Sequence, residues 1–168
     1  MSPRSMSRDL NIRLSSPDDA DTIFELIVLL AEYEREPDAV VSSPDRLREQ
    51  LSADRPPFEC LLAERDGEAC GFALFFHNYS TWRGRPGIYL EDLFVRVERR
   101  GEGIGKALLV RLAQLAVERG CARMEWSVLN WNEPAIGFYR AIGAEARSDW
   151  TTFRLTGEPL TALATETA

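Results

Sequence analysis

The stretch that most restricts the fold of this chain is RRGEGIGKALL, residues 99–109. Gly101, Gly103 and Gly105 fall at alternate positions between an apolar strand-like run, IYLEDLFV at 88–95, and a helix. The helix is read from Ile104, Leu108, Leu109, Leu112, Leu115 and Ala116, which trace one apolar face and stop near Gly120. A strand that passes through glycines into a helix presents free N–H groups at the positive end of the helix dipole, and glycine lets the backbone come close to an anion. The physical reading is a pyrophosphate cradle, with Arg99, Arg100 and Lys106 adding positive charge; the alternative is a loop of small residues chosen for tight packing. Two familiar phosphate patterns do not fit. Lys106 is followed by Ala107, so no G-x-x-x-x-G-K-[ST] is present, and the glycines have neither the spacing nor the position of a dinucleotide fingerprint.

Periodicity around this loop predicts the other elements. IRL at 12–14 reads as a strand. Ser16, Pro17 and Asp19 then form a helix start, and Ile23, Phe24, Ile27, Leu30 and Ala31 make the buried face of the helix that follows. A second helix opens at Ser43–Pro44, with Leu47 and Leu51 as its stripe. FECLLAE and EACGFALFFHNY form a hairpin about Asp66–Gly67, and the loop STWRGRPG leads to the strand at 88–95. ARMEWSVL reads as a further strand. NEPAIGFYRAIGA reads as a short helix between Asn132 and Gly143, and WTTFRL at 150–155 as a last strand. With no repeats and no linker, the order is α/β or α+β in a single domain over 11–168, behind a flexible tail at 1–10.

Composition excludes several classes. The 168 residues suffice for one domain with a substantial core, and no apolar run reaches the length of a membrane span. The N-terminus lacks the apolar core of a secretory signal. The formal net charge of −7 disfavours nucleic-acid binding and is compatible with a cationic ligand. Cys60, Cys70 and Cys121 have no metal-ligand or redox spacing and read as reduced thiols, which implies a cytoplasmic setting. A single histidine, His77, argues against Ser-His-Asp and Cys-His hydrolysis, and no cluster supports a metal. Glu91 and Asp92 are unusual because they interrupt an apolar strand. In a regular strand, alternation would send the two carboxylates to opposite faces.

RRGEGIG contains the R-x-x-G-x-G loop with which the GNAT superfamily of N-acetyltransferases holds the pyrophosphate of acetyl-CoA. Arg100, Gly103 and Gly105 occupy the pattern positions. YLEDLFV, WNEPAIGFYRAIGA, FECLLAE and the N-terminal IRL…AEYE resemble, in matching order, stretches of the spermidine/spermine N-acetyltransferase family over roughly residues 11–156. YSTWRGR and VLNWN are closer to its thialysine N-epsilon-acetyltransferase branch, since the polyamine branch carries Asp-Pro where this chain has Ser80–Thr81. The resemblance implies the GNAT fold: a mixed central sheet flanked by helices, with a splayed strand pair holding acetyl-CoA. It further implies a homodimer acting on a small cationic amine, with neither nucleic acid nor membrane as partner.

Roles follow from the same resemblance, position by position. Tyr139 is the general acid toward the CoA sulfur. Glu91 is the base, through water, on a strand splayed by a bulge. Leu93, Phe94 and Val95 present backbone to the cofactor, with the N–H of Phe94 or Val95 as oxyanion donor. Arg100, Gly101, Glu102, Gly103, Ile104, Gly105 and Lys106 form the pyrophosphate loop, and Asn132 and Pro134 are secondary cofactor contacts. Tyr33, Glu34, Trp82, Asp92, Glu125, Trp126 and Ser127 line the amine side. An acceptor ammonium has a pKa of about 10.4, so a carboxylate near its path is needed to take the proton. Two other readings remain open on these residues: a protein lysine or N-terminal acetyltransferase, and an acyl-CoA-binding sensor without turnover.

Overall fold

The computed structural model describes residues 9–166. The expected N-terminal tail therefore lies almost wholly outside the described residues. Between Leu129 and Asn130 the chain divides into two compact units.

The first unit is built on a five-stranded sheet in sequential order: β1 Asn11–Leu14, β2 Glu59–Arg65, β3 Glu68–Ser80, β4 Arg85–Val95 and β5 Met124–Trp126. All neighbours are antiparallel except β4 and β5, which run parallel, so the sheet is mixed as expected. The β2–β3 hairpin turns at Asp66 and Gly67. Both have positive φ, 55° and 80°, which two-residue hairpins require to match the strand twist. β3 and β4 run further than the sequence implies and take up half of STWRGRPG, because their backbones can continue the ladder up to a tight turn at 81–84. Ser80 caps that turn by accepting from the N–H of Arg83 at 3.3 Å.

Helix α1, Ala20–Tyr33, starts as predicted. Ser16 and Asp19 form a capping box around a single 3-10 turn at Pro17–Asp19. Asp19 is also held by Arg13, whose Nη1 and Nη2 donate to its two carboxylate oxygens at 2.8 Å, while Nη2 reaches Glu64 at 2.7 Å. One guanidinium thus ties β1, the start of α1 and β2, and it holds the Asp19 carboxyl below its ordinary range. α2, Pro44–Leu51, is capped by Ser43, which accepts from the N–H of Arg46. These two helices cover one face of the sheet: Ala20, Ile23, Leu26, Leu30 and Leu47 pack on Cys60, Leu62, Phe72, Leu74 and Phe94. Leu26 completes that face, while Phe24 and Ile27 lie at its margin. α3, Ile104–Glu118, covers the other face with the residues that the pattern predicts.

One register shift organises β4. Leu74 pairs with Asp92 but Phe75 pairs with Leu90, so Glu91 is an extra residue in a β-bulge. The bulge inverts the strand's alternation. Before it, Leu90 shares the α3 side with Phe75; after it, Asp92 and Phe94 share the α1 side with Leu74 and Phe72. Regular alternation, the simpler expectation for Glu91 and Asp92, fails at this point.

The second unit contains α4, Glu133–Ala141, and α5, Gly157–Ala164. Asn132 caps α4 through Oδ1 and Pro134 lies in its first turn, as the sequence predicts. The expected strand WTTFRL is corrected: among the described residues, 150–156 form no regular structure. A strand needs a ladder partner, and this unit supplies none. Trp150 and Phe153 remain 69% and 91% exposed.

Gly71 sets how closely β3 approaches β4, since a Cβ there would stand 2.7 Å from the Phe94 carbonyl oxygen and 3.3 Å from Val95 Cα. Both contacts are backbone and cannot swing away. Gly71→Ala is expected to destabilise the protein by about 1–3 kcal/mol, measured as a lowered urea midpoint.

Candidate active site

The glycine loop of the first unit leaves β4 through a 3-10 turn at Val97–Arg99 and enters α3 at Gly103. Gly101 and Gly103 adopt φ of 80° and 78°, a left-handed conformation that favours glycine, and no atom lies within 4 Å of a Cβ built on either. Among the described residues, backbone N–H groups from Gly101 to Lys106 donate to no backbone acceptor; the first helical bond is from Ala107 to the Gly103 carbonyl. A run of free amides at a helix start, with open space above its glycines, fits a pyrophosphate group. Ile104 lends its amide while its side chain is buried under α3. Gly105 has ordinary φ and a nearest built contact of 3.7 Å to Val95 Cγ2, so packing within the chain does not itself demand glycine there.

Charged side chains brace this loop from several directions. Arg65, at the end of β2, donates to Glu102 at 2.5 Å, and Arg99 stands 4.0 Å from the same carboxylate. Glu102 therefore offers the loop its backbone, while its charge is neutralised. Arg100 lies over the Tyr33 ring at 4.2 Å and the Phe94 ring at 5.7 Å, and its Nε donates to the Val95 carbonyl at 3.2 Å. It joins the loop to the end of α1. Lys106 lines a groove of about 500 Å³ on the other flank of the loop, with Leu10, Ile12, Val110 and Arg111.

Beyond the bulge, one edge of β4 is open. Its last pair with β5 is Leu90 with Trp126, whereas its pairing with β3 continues to Val95. The N–H of Arg96 still donates to the Cys70 carbonyl at 2.8 Å on the β3 side. Ladder alternation then turns the N–H of Phe94 toward β3 as well, and those of Leu93 and Val95 toward the open edge. Of the two amides expected as oxyanion donors, only that of Val95 is therefore available; Phe94 is 4% exposed and belongs to the core.

The acidic side of the site assembles where the end of α1 meets the bulge. Burial pushes the Asp92 carboxyl up from 3.8 to about 7, and the negative charges of Glu91 and then Glu34 add to the shift. Burial likewise raises Glu34. Two further carboxylates thus act on that of Asp92, and one of them, Glu91, the extra residue of the bulge, is exposed to solvent. Such a cluster attracts an ammonium and favours receipt of its proton near neutral pH.

The remaining acceptor-side residues do not all converge. Glu125 pairs across from Tyr89, and Ser127 Oγ lies 3.1 Å from the Tyr89 hydroxyl; both belong to the face that carries Asp92. Trp126 pairs with Leu90 and turns to the α3 side. Trp82 is 92% exposed in the β3–β4 turn. The strand from Arg85 to Asp92 separates it from the carboxylates by roughly 20 Å. Ser80 serves the same distant turn. Two aromatic residues that the reading overlooked, Phe76 and Tyr89, floor the Asp92 face with centroids 5.2 Å apart. Alternating apolar residues gave them no distinguishing signal. His77 belongs to a surface network with Glu59 and Arg119 on the other face. In the second unit, Tyr139 lies on α4 with its ring 5.7 Å from that of Phe138. Among the described residues there is no cluster of metal-ligating side chains, and no helix is long and apolar enough to cross a membrane.

A mixed sheet with a bulged, half-unpaired strand beside a free-amide loop is the architecture of an acyl-CoA transferase fold. The chain belongs to the acetyltransferase (GNAT) family, whose profile matches residues 23–144, and it is an acetyl-CoA N-acetyltransferase. It is 38% identical over 164 residues to the thialysine N-epsilon-acetyltransferase of Bos taurus, covering 91% of this chain and 96% of that one. It is also 38% identical over 157 residues to the L-ornithine N5-acetyltransferase NATA1 of Arabidopsis thaliana, covering 89% and 68%. An integron cassette protein from the mobile metagenome of V. cholerae superposes with a TM-score of 0.78 at 26% identity, over 94% of this chain and 98% of that structure.

The folded value of Asp92 lies above its unfolded value, so from about pH 4 to about pH 7 the folded chain holds a proton that the unfolded chain has lost. Stability contributed by this group is present at the acid end of that window and falls as pH rises through it. Asp92→Asn is expected to melt above the wild type near pH 8, with the gap closing toward pH 5, as followed by thermal denaturation.

Proposed function

We propose that this enzyme transfers acetyl from acetyl-CoA to the terminal primary amine of a small cationic acceptor, of the thialysine, lysine or diamine kind, by direct attack on the thioester. One observation carries the reading: a free-amide loop, an open β4 edge and the buried Asp92 carboxyl, raised beside Glu91 and Glu34, meet in one unit, with Arg100 reaching across to Tyr33. The names of the curated relatives point to acceptors of the same chemistry.

Gly101–Lys106 would hold the pyrophosphate, and the edge of Leu93–Val95 the pantetheine, with Asn132 and Pro134 as further contacts. Acetyl-CoA supplies an activated acetyl thioester. The acceptor ammonium lies against Glu34, Glu91 and Asp92, whose charges offset its desolvation. Its proton leaves through water to Glu91, the solvent-exposed carboxylate next to Asp92. The amine nitrogen would then bond to the acetyl carbon while the Val95 N–H steadies the negative charge on oxygen; as the carbon–sulfur bond breaks, Tyr139 would give its phenolic proton to the sulfur, and the nitrogen's second proton would pass through water to the phenolate. The working protein is a homodimer in the cytoplasm. The exposed Trp150 and Phe153 support a role for the C-terminal segment in covering a partner copy.

Thiol release from acetyl-CoA, measured against thialysine, lysine, ornithine, diamines, spermidine, an amino sugar and a lysine peptide, tests this reading. Turnover concentrated on small amines is expected; turnover confined to the peptide would replace it with a protein acetyltransferase. Tyr139→Phe should lower kcat by about 10²–10⁴ and leave acetyl-CoA affinity nearly unchanged, since the ring is kept. Glu91→Gln should move the rate profile toward high pH, where free amine is abundant. An unshifted profile would remove Glu91 as the proton acceptor.

A further inference from the structure

The carboxylate cluster accounts for one end of an acceptor, and on that reading rests an inference about the other end. Before the bulge, the face that carries Asp92 is formed by Tyr89, Phe76 and Glu125, which are mutually paired across β3, β4 and β5. Arg123, two residues before Glu125, faces the same way and forms an ion pair with it through Nε. Gly87 makes room for this arrangement. A Cβ at Gly87 would stand 3.2 Å from Arg123 Cγ and 2.5 Å from Asn78 Oδ1, so the arginine stem lies across the glycine beside that amide. Each of the paired side chains is 42% exposed. The contact through Nε leaves both terminal guanidinium nitrogens of Arg123 able to donate to another carboxylate.

Opposite charges fixed side by side are the complement of a zwitterion. The α-ammonium of an amino acid matches Glu125, and its α-carboxylate matches the terminal nitrogens of Arg123. A diamine or polyamine offers only cations, and it would meet a carboxylate already neutralised by an adjacent arginine. The spacing also fits. Tyr89 lies roughly 7–10 Å along the strand from Asp92, and a chain of four methylene-sized atoms separates a terminal amine from its α-carbon by roughly 6 Å. The Tyr89–Phe76 pair, with the Tyr89 hydroxyl against Ser127, would floor the aliphatic stretch between.

We propose that Arg123 and Glu125 form the head-group subsite of the acceptor, so that the enzyme prefers basic α-amino acids to diamines of the same chain length. The test compares kcat/KM of the full chain for L-ornithine against putrescine, and L-lysine against cadaverine, and repeats the measurement with Arg123→Gln. The amino acids are expected to be favoured by about ten- to a hundredfold, and Arg123→Gln should reduce that ratio at least about tenfold, chiefly through KM. Equal use of ornithine and putrescine by the wild type, or an unchanged ratio in the variant, overturns the subsite. The wild-type comparison decides the matter even where the variant does not fold. Acetylation of small amines with no effect of the α-carboxylate sinks the subsite alone, whereas no acetylation of any of the four removes the acceptor reading beneath it as well.

Discussion

The site depends on one inserted residue. Without the bulge at Glu91, the alternation that buries Leu90 under α3 would carry Asp92 to that same side, into apolar packing with no compensating cation. With it, Asp92 emerges under the end of α1, beside Glu34, and Phe94 joins the α1 core. The bulge also coincides with the end of the β4–β5 pairing. The strand that acquires its carboxylates is thus released from a neighbour over its next residues, and a cofactor can take that neighbour's place.

Two opposite electrostatic fields then lie close together without cancelling. The loop from Gly101 to Lys106 presents backbone dipoles and the ammonium of Lys106, while the arginines around it are engaged: Arg65 and Arg99 with Glu102, and Arg100 over Tyr33. On the acidic side, burial is the main cause that raises the proton affinity of Asp92, and the negative charges of Glu91 and Glu34 add to it. On the proposed reading, an anionic cofactor and a cationic acceptor would each be drawn to its own end. A net charge of −7 favours the approach of cations over that of anions.

Much of this was legible beforehand where chemistry is local in sequence. Ser16, Ser43 and Asn132 cap the helices they were expected to cap, the turn at Asp66–Gly67 is where its residue types demand it, and the α3 face matches its periodicity residue by residue. What the local sequence leaves undecided has a different cause. WTTFRL has strand-like residues but no ladder in its own unit, and Trp82 sits near the acidic strand in sequence yet at the far tip of a hairpin whose length depends on β3. Arg100 matches a phosphate-binding pattern, but in this structure its guanidinium rests on a tyrosine some seventy residues away.

By itself, the sequence determined the elements of the first unit and α4, the glycine loop, and the presence of two carboxylates in an apolar strand, because caps, turn residues and periodicities act over a few neighbouring positions. Only the tertiary structure decided that Asp92 would share its surroundings with Glu34, that Val95 rather than Phe94 would turn its amide to the open edge, and that Arg123 would lie across Gly87 onto the strip that Tyr89 floors. Those outcomes follow from strand register and close approach, which arise when distant segments pair and leave no local trace in the order of residues.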